Sequence, residues 1–245
     1  MGEWLRKLGE GVAELLFPPV CVACKLPARR HLCDACLAAI PRLPRPLCQC
    51  CGAALDPLKV PRESVFHERA YCWRCRELPA AFDCCRAYGP FEGPLRTAIH
   101  ALKYRGTTAI VPVLAELVAR VLDEEPELRR AHLLVPVPLH SARRRERGFN
   151  QAELLAAAVA PPRGLELRRD LVAKVRHTRP QVGQNAPQRR ENLRDAFAFR
   201  GTAPLRCSVL LLDDVVTTGA TFHECARVLR AAGATAVYAV ALAHG

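Results

Sequence analysis

The sequence predicts an α/β fold with a parallel-sheet core, preceded by a small cysteine-rich module. The first observation is a set of short apolar runs, typical of strands buried on both faces of a sheet, at 132–137, 207–212 and 237–242. The second is that segments with apolar residues at helical spacing lie between these runs. The third is that residues 21–75 hold four Cys-x-x-Cys pairs. We therefore expect an N-terminal helix at 1–20, a cysteine-rich module at 21–80 and an α/β domain at 81–245.

The amino-acid composition indicates the cellular compartment and the class of ligand. Half of the 245 residues are hydrophobic, which is enough for a sizeable core. No apolar run has the length of a bilayer span, and the N-terminus lacks the features of a secretory signal. The thirteen cysteines therefore indicate metal ligation in a reducing compartment, and we predict a cytoplasmic protein. The formal net charge of +12 favours nucleic acid or phosphorylated ligands.

The N-terminal segment predicts a short amphipathic helix. Leu5, Leu8, Val12 and Leu15 follow one another at steps of three and four residues, and Pro18 ends the pattern. Such a helix could lie on a membrane surface. Its polar face is not strongly basic, so packing on its own domain or on a partner is the preferred interpretation.

The four Cys-x-x-Cys pairs predict two zinc sites. A gap of two residues lets both thiolates of a pair reach one metal ion at about 2.3 Å, and two pairs complete a tetrahedron. Pairing in sequence order is the simplest arrangement, and sites closed by four thiolates are structural rather than catalytic. Redox-active dithiols are the alternative, and Cys50 or His31 could replace a thiolate. The predicted ligands are Cys21, Cys24, Cys33 and Cys36 for one site and Cys48, Cys51, Cys72 and Cys75 for the other.

The chain is organised around residues 209–221, where a buried strand runs into Asp213 and Asp214 and then into a turn and a helix. A strand, a polar loop and a helix together place a ligand at the carboxyl end of a sheet. Backbone N–H groups at a helix N-terminus favour an anion, and Gly219 allows close approach. The carboxylates suit a diol or a water-bound magnesium ion, so the pattern describes a ribose 5-phosphate. The alternative, a buried strand with an ordinary turn, leaves the paired carboxylates unexplained. The predicted phosphate loop is Thr217, Thr218, Gly219, Ala220 and Thr221.

This stretch resembles the phosphoribosyl diphosphate (PRPP) loop of type I phosphoribosyltransferases, and the resemblance implies the fold of that family. In such proteins the loop after the first strand holds the pyrophosphate of the sugar donor. Here four arginines follow the strand at 132–137, and Pro138, Arg143 and Arg147 are the residues we assign to that loop. The alternative is a solvated basic loop that caps the next helix.

A flexible flap is predicted between about Lys174 and Arg194, because more than twenty residues there lack hydrophobic periodicity. Such a segment is either a functional lid or disordered. Its basic and amide side chains suit a lid that closes over a phosphorylated ligand and excludes water. With the basic end of an earlier helix, the predicted flap and basic residues are Lys103, Arg105, Arg176, Gln181 and Arg189.

Taken together, the motifs resemble the ComF family of phosphoribosyltransferase-like proteins. The matching pieces are the four cysteine pairs and the strings at 102–106, 135–138, 147–151 and 213–221. The resemblance implies a protein of natural transformation or of DNA use as a nutrient. It would act on single-stranded DNA beside a competence helicase and recombination-mediator proteins. The cofactors implied are two structural zinc ions and magnesium with PRPP, and Asp213 and Asp214 are the catalytic candidates.

Two classes of function remain open from the sequence. In the first, the chain is a phosphoribosyltransferase whose acceptor the sequence does not reveal. In the second, it is a non-catalytic PRPP-fold module that contacts DNA and protein partners through its arginines and zinc ribbons. A PRPP-responsive transcription regulator would need a helix-turn-helix or winged module, and the sequence shows neither.

Overall fold

The computed structural model describes residues 19–58, 70–178 and 186–245. Its centre is a five-stranded, wholly parallel sheet with the strand order β1-β7-β6-β2-β3. A separate antiparallel pair, β4 and β5, lies outside this sheet. The strands are β1 (Cys84–Pro90), β2 (Leu133–Pro136), β3 (Glu166–Leu167), β4 (Val172–Lys174), β5 (Phe197–Phe199), β6 (Ser208–Val216) and β7 (Ala236–His244).

Eight α-helices occur in the described part of the chain. They are α1 (Asp34–Ala38), α2 (Trp73–Glu77), α3 (Gly93–Arg105), α4 (Val111–Glu124), α5 (Ser141–Arg147), α6 (Gln151–Val159), α7 (Ala186–Leu193) and α8 (Ala220–Ala231). Short 3-10 turns occupy Thr108–Ile110, Leu128–Arg130 and Pro161–Arg163. Within these same residues, no helix combines the length and apolar character that crossing a bilayer requires.

The central strands are buried on both faces, as their unbroken apolar runs predict. Leu210 and Leu212 of β6 pack in one core with α3, α4 and α6. Val209 and Leu211 point to the opposite core, which holds α8, β5 and the second cysteine cluster. The predicted parallel-sheet core and the cysteine-rich module before it are therefore confirmed.

The short strand that the sequence predicts at 84–88 is present as β1. The sequence predicts that the strand at 132–137 is the first of the main sheet; instead, β1 precedes it, pairs in parallel with β7 and occupies an edge. The segment at 165–172, whose sequence suggests one further strand, is split between two sheets, because β3 pairs with β2 whereas β4 pairs with β5. Only β3, at Glu166–Leu167, belongs to the main sheet.

Three segments of the predicted site also differ in secondary structure. Strand β6 does not end at the two aspartates but continues to Val216, because it stays paired with β7. The expected arginine loop is the helix α5, which begins after His140 and ends at Gly148, where φ is 83°. The expected flap contains α7, and Gln181 lies outside the described residues.

The cysteine-rich module packs directly on the α/β core. Cys21, Leu32 and Ile40 belong to the same core as α3 and α4. The backbone N–H of Cys85 in β1 donates to the carbonyl oxygen of Cys50 at 2.6 Å. The division into parts at residue 80 remains a prediction, and the N-terminal helix expected at 1–20 falls almost wholly outside the described residues.

Candidate functional site

The eight predicted zinc ligands form two clusters of four, in the sequential pairing that the spacing indicates. The ligand atoms within each cluster all lie within 4.8 Å of one another. The Sγ atoms of Cys24 and Cys33 are 3.7 Å apart, as are those of Cys51 and Cys72. A tetrahedron with Zn–S bonds of about 2.3 Å separates its sulfurs by about 3.8 Å. The chain therefore holds two zinc-binding sites, each made of four cysteines.

Backbone N–H groups donate hydrogen bonds to sulfur atoms of both clusters. The N–H of Cys33 donates to Sγ of Cys21 at 3.4 Å, and the N–H of Cys72 donates to Sγ of Cys48 at 3.3 Å. Neither His31 nor Cys50 belongs to a cluster. The four-sulfur geometry favours zinc over separate redox dithiols.

The two aspartates lie at the carboxyl end of β6 in different environments. Asp214 is buried, and its Oδ2 lies 2.8 Å from Nζ of Lys103 at the end of α3. Asp213 is half-buried and faces a cavity, and its Oδ1 accepts a hydrogen bond from the N–H of Asp214 at 2.8 Å. One carboxylate is thus neutralised within the protein, while the other faces the cavity.

The pKa values of Asp213 and Lys103 follow from burial and from the charges beside them. Burial, and then the charge of Asp214, raise the pKa of Asp213 to about 7, and Lys103 opposes the rise only in part. Burial alone would lower the pKa of Lys103, but the charges of Asp214 and Asp213 outweigh it and raise that pKa. Asp213 can therefore take up or release a proton near neutral pH.

The predicted phosphate loop forms a tight turn before α8. Gly219 has a φ of 73°, and a Cβ built there would lie 3.3 Å from the ring of Phe82. Thr217 and Thr221 line the cavity, whereas the three residues between them do not. Oγ1 of Thr217 accepts a hydrogen bond from Arg189 of α7 at 2.5 Å. The turn thus has a left-handed glycine, hydroxyl groups and an arginine beside it.

The cavity has a volume of about 370 Å³ and lies at the carboxyl edge of the sheet. It brings together most of the predicted site. Arg105 and Arg176 do not line it; Arg176 donates instead to the carbonyl oxygens of Asn192 and Arg194, at 2.8 and 2.6 Å. The predicted residues that line it are Lys103, Pro138, Arg143, Arg147, Arg189, Asp213, Asp214, Thr217 and Thr221.

Lys174, His140 and His177 also line the cavity. Lys174 and His177 fall within the predicted flap, but none of the three is among the predicted site residues. Burial, followed by weaker effects of Arg143 and Arg176, lowers the pKa of Lys174, although Asp213 and Cys225 oppose this. The rings of His140 and His177 are 5.0 Å apart. Lys174 ends a short apolar stretch, and this is the sequence feature that could have pointed to it. The two histidines belong to segments that are far apart in the sequence, so no local pattern indicates that they are neighbours.

Comparisons with known proteins agree with both parts of the chain. Residues 12–76 match the family model of the double zinc ribbon domain. Competence protein F of Haemophilus influenzae is 30% identical over 223 residues, which are 89% of this chain and 92% of that protein. DNA utilization protein YhgH of Salmonella typhimurium is 31% identical over 230 residues, covering 91% and 96% of the two chains.

Among solved structures, UMP synthase of Leishmania donovani matches 60% of this chain and 24% of its own, at 20% identity and a TM-score of 0.32. The two sequence relatives, in contrast, span nearly the whole of both chains. Together with the double zinc ribbon matched at residues 12–76, this similarity shows that the chain belongs to the ComF family.

Proposed function

We propose that this chain binds PRPP with Mg²⁺ and transfers its phosphoribosyl group, and that it acts in the uptake or use of DNA. The observation that carries the proposal is the cavity at the end of β6. It is lined by the half-buried carboxylate of Asp213, by Thr217 and Thr221 of the turn before α8, and by arginines of α5, the helix that follows β2. A ribose that carries a phosphate at one end and a pyrophosphate at the other needs these three kinds of group.

Each part of PRPP has a counterpart in the cavity. The turn Thr217–Thr221 would hold the 5-phosphate, because the N–H groups at a helix N-terminus and the helix dipole favour an anion there. Asp213 would accept hydrogen bonds from the ribose hydroxyls. Arg143 and Arg147, one helical turn apart on α5, would hold the pyrophosphate through charge-assisted hydrogen bonds.

The same residues fit the chemistry of pyrophosphate loss. The bond between C1 of the ribose and the pyrophosphate oxygen breaks, the electron pair leaves with pyrophosphate, and an acceptor atom bonds to C1. Positive charge develops on the sugar ring, and the carboxylate of Asp213 would stabilise it. Bound Mg²⁺ would supply charge neutralisation for the pyrophosphate, held by the carboxylates largely through water. Arg189, which is hydrogen-bonded to Thr217, would help to exclude water from the cavity.

The biological role rests on the family. Relatives carry the names competence protein F and DNA utilization protein, so we propose that the chain acts on DNA that enters the cell. Single-stranded DNA, a competence helicase and recombination-mediator proteins are the proposed partners. The proposed compartment is the cytoplasm, where thiols stay reduced and available to zinc.

Calorimetry with PRPP and Mg²⁺ tests the proposal. Asp213→Asn and Arg143→Ala should each weaken binding about tenfold or more, because each removes a charged partner of the ligand. Arg145→Ala is the matched control, since it removes an exposed arginine of the same helix that does not line the cavity. Unchanged affinity in both cavity variants, with two zinc ions retained, would refute the assignment.

A second candidate function is a non-catalytic module that binds single-stranded DNA. The observation that favours it is Tyr104, which is 68% exposed and has the guanidinium of Arg147 5.7 Å from its ring centroid. An exposed aromatic ring among cations suits base stacking beside a phosphate backbone. PRPP binding without pyrophosphate release, together with salt-dependent DNA binding that Tyr104→Ala weakens, would favour this function.

A further inference from the structure

A second cavity, of about 440 Å³, lies between the second zinc ribbon and the carboxyl edge of the sheet. Tyr71 and Trp73 of the ribbon form part of its wall. His244, the last residue of β7, forms another part, and Thr217 lines both this cavity and the proposed PRPP cavity. The two cavities therefore meet at the phosphate turn.

The walls of this second cavity combine exposed aromatic rings with cations. Trp73 is 67% exposed and Tyr71 is 42% exposed. Arg74 and Arg76 also line the cavity, and the guanidinium carbon of Arg74 lies 5.8 Å from the centroid of the Trp73 ring. Large exposed rings beside arginines are the groups on which nucleobases stack.

Two of the residues that line this cavity each have a buried nitrogen atom with unmet hydrogen-bonding capacity. Nε of Arg74 and Nε2 of His244 are buried and have no hydrogen-bond partner among the residues that the structure describes. Buried polar atoms are normally paired, and each exception needs an explanation. A small rearrangement toward a ligand with ring nitrogens or carbonyl oxygens would satisfy them.

The position of this cavity suits an acceptor. In the strand order, β6 lies between β7, which contributes His244, and β2, which leads to the arginines of α5. The second cavity and the proposed pyrophosphate site are therefore on opposite flanks of the strand that carries the aspartates. Displacement at a carbon centre brings the incoming atom in from the side opposite the leaving group.

We propose that this cavity holds a nucleobase, stacked on Trp73 and directed toward the ribose site; the acceptor role rests on the proposed function, whereas base binding does not. The acceptor bond would form from a ring nitrogen of the base to C1 as pyrophosphate leaves, and that nitrogen would give up its proton to solvent. A free base and a base within a single DNA strand present the same planar ring for stacking. The acceptor step applies to the free base, because the glycosidic nitrogen of a base in DNA is already bonded to deoxyribose.

Tryptophan fluorescence tests base binding directly. The chain has two tryptophans, so the Trp4→Phe protein reports on Trp73 alone. Adenine, thymine, oligoadenylate and oligothymidylate are titrated separately, and stacking should quench the emission. Quenching by free bases identifies a free-base site, and quenching by oligonucleotides alone identifies a site for a base within a strand. The absence of quenching by all four probes overturns the proposal.

Variants separate this proposal from PRPP binding. Trp73→Ala should weaken binding of the effective probe by about tenfold or more, measured by calorimetry, and Trp73→Phe should restore most of it because it keeps an aromatic face. Both proteins must keep two zinc ions, since Trp73 adjoins a ligand. Asp213→Asn should retain base binding even if it loses PRPP. Unchanged probe affinity in Trp73→Ala overturns the nucleobase site and leaves the PRPP assignment intact.

Discussion

Lys103 forms an ion pair with a buried carboxylate at the end of the central strand. The side chain of Asp214 is 3% exposed, and Lys103 is its partner in an ion pair of 2.8 Å. Removing one partner of a buried pair leaves an uncompensated charge. We predict that Lys103→Met lowers the free energy of unfolding by about 3 kcal/mol, as measured by urea denaturation.

The control for this substitution lies two residues further along α3. Arg105→Ala removes a positive charge from the same helix end, but its side chain is exposed. Its effect should stay within about 0.5 kcal/mol. An equal loss of stability in both variants would mean that general charge at the helix end, rather than the pair with Asp214, stabilises the fold.

Asp213 should make the protein less stable as the pH rises toward neutrality. Burial and the charge of Asp214 raise its pKa from 3.8 to about 7, so between these values the folded protein keeps a proton that the unfolded chain releases. Stability then falls with increasing pH through this window and levels off above about pH 7. Asp213→Asn cannot titrate.

The pH dependence is measured as the difference in unfolding free energy between Asp213→Asn and the wild type. From about pH 5 to about pH 8, this difference should grow in favour of the variant. Comparing two proteins cancels titrations that they share, including those of the cysteines. A difference that stays constant, or that changes in the opposite direction, would show that folding does not raise the pKa of Asp213.

Among the elements, the turn before α8 depends on one glycine. Gly219 has a φ of 73° and lies close to the Phe82 ring. Gly219→Ala should cost about 1 kcal/mol or more in stability and weaken PRPP binding, because the amides of the turn would move. Gly164→Ala is the control: φ is 64° and nothing lies within 4 Å of its added Cβ. It should cost similar backbone energy without changing the affinity for PRPP.

The sequence was sufficient for elements whose pattern is local. The buried runs at 207–212 and 237–242 became β6 and β7, and the cysteine spacing predicted both zinc clusters. The sequence was insufficient where the length or division of a strand depends on pairing with a distant segment. Strand β6 continues through its aspartates because β7 extends beside it, and the split of the segment at 165–172 depends on pairing with β5. Contacts between distant segments, such as Lys103 with Asp214, are equally invisible in a local pattern.

At the scale of the whole molecule, the zinc ribbons and the sheet form a continuous structure. Arg86 of β1 is buried, and its guanidinium donates to the carbonyl oxygen of Gln49 at 3.0 Å and pairs with Glu125 at 3.0 Å. Gly52 lies so close to β1 that an added Cβ would be 2.4 Å from the carbonyl oxygen of Cys85. The second ribbon therefore covers the outer edge of β1.

This continuity predicts that the ribbons and the α/β core unfold together. Cys24→Ser and Cys72→Ser should each reduce the zinc content from two ions to one per chain. Each should also lower the midpoint of a single unfolding transition, because metal binding contributes directly to the folding free energy.

Cys207→Ser, at a half-buried position outside both clusters, should leave the zinc content and midpoint nearly unchanged. Differential scanning calorimetry measures the unfolding midpoint of each variant, and metal analysis measures its zinc content. Two separate transitions, only one of them shifted by loss of zinc, would mean that the ribbons fold independently of the sheet.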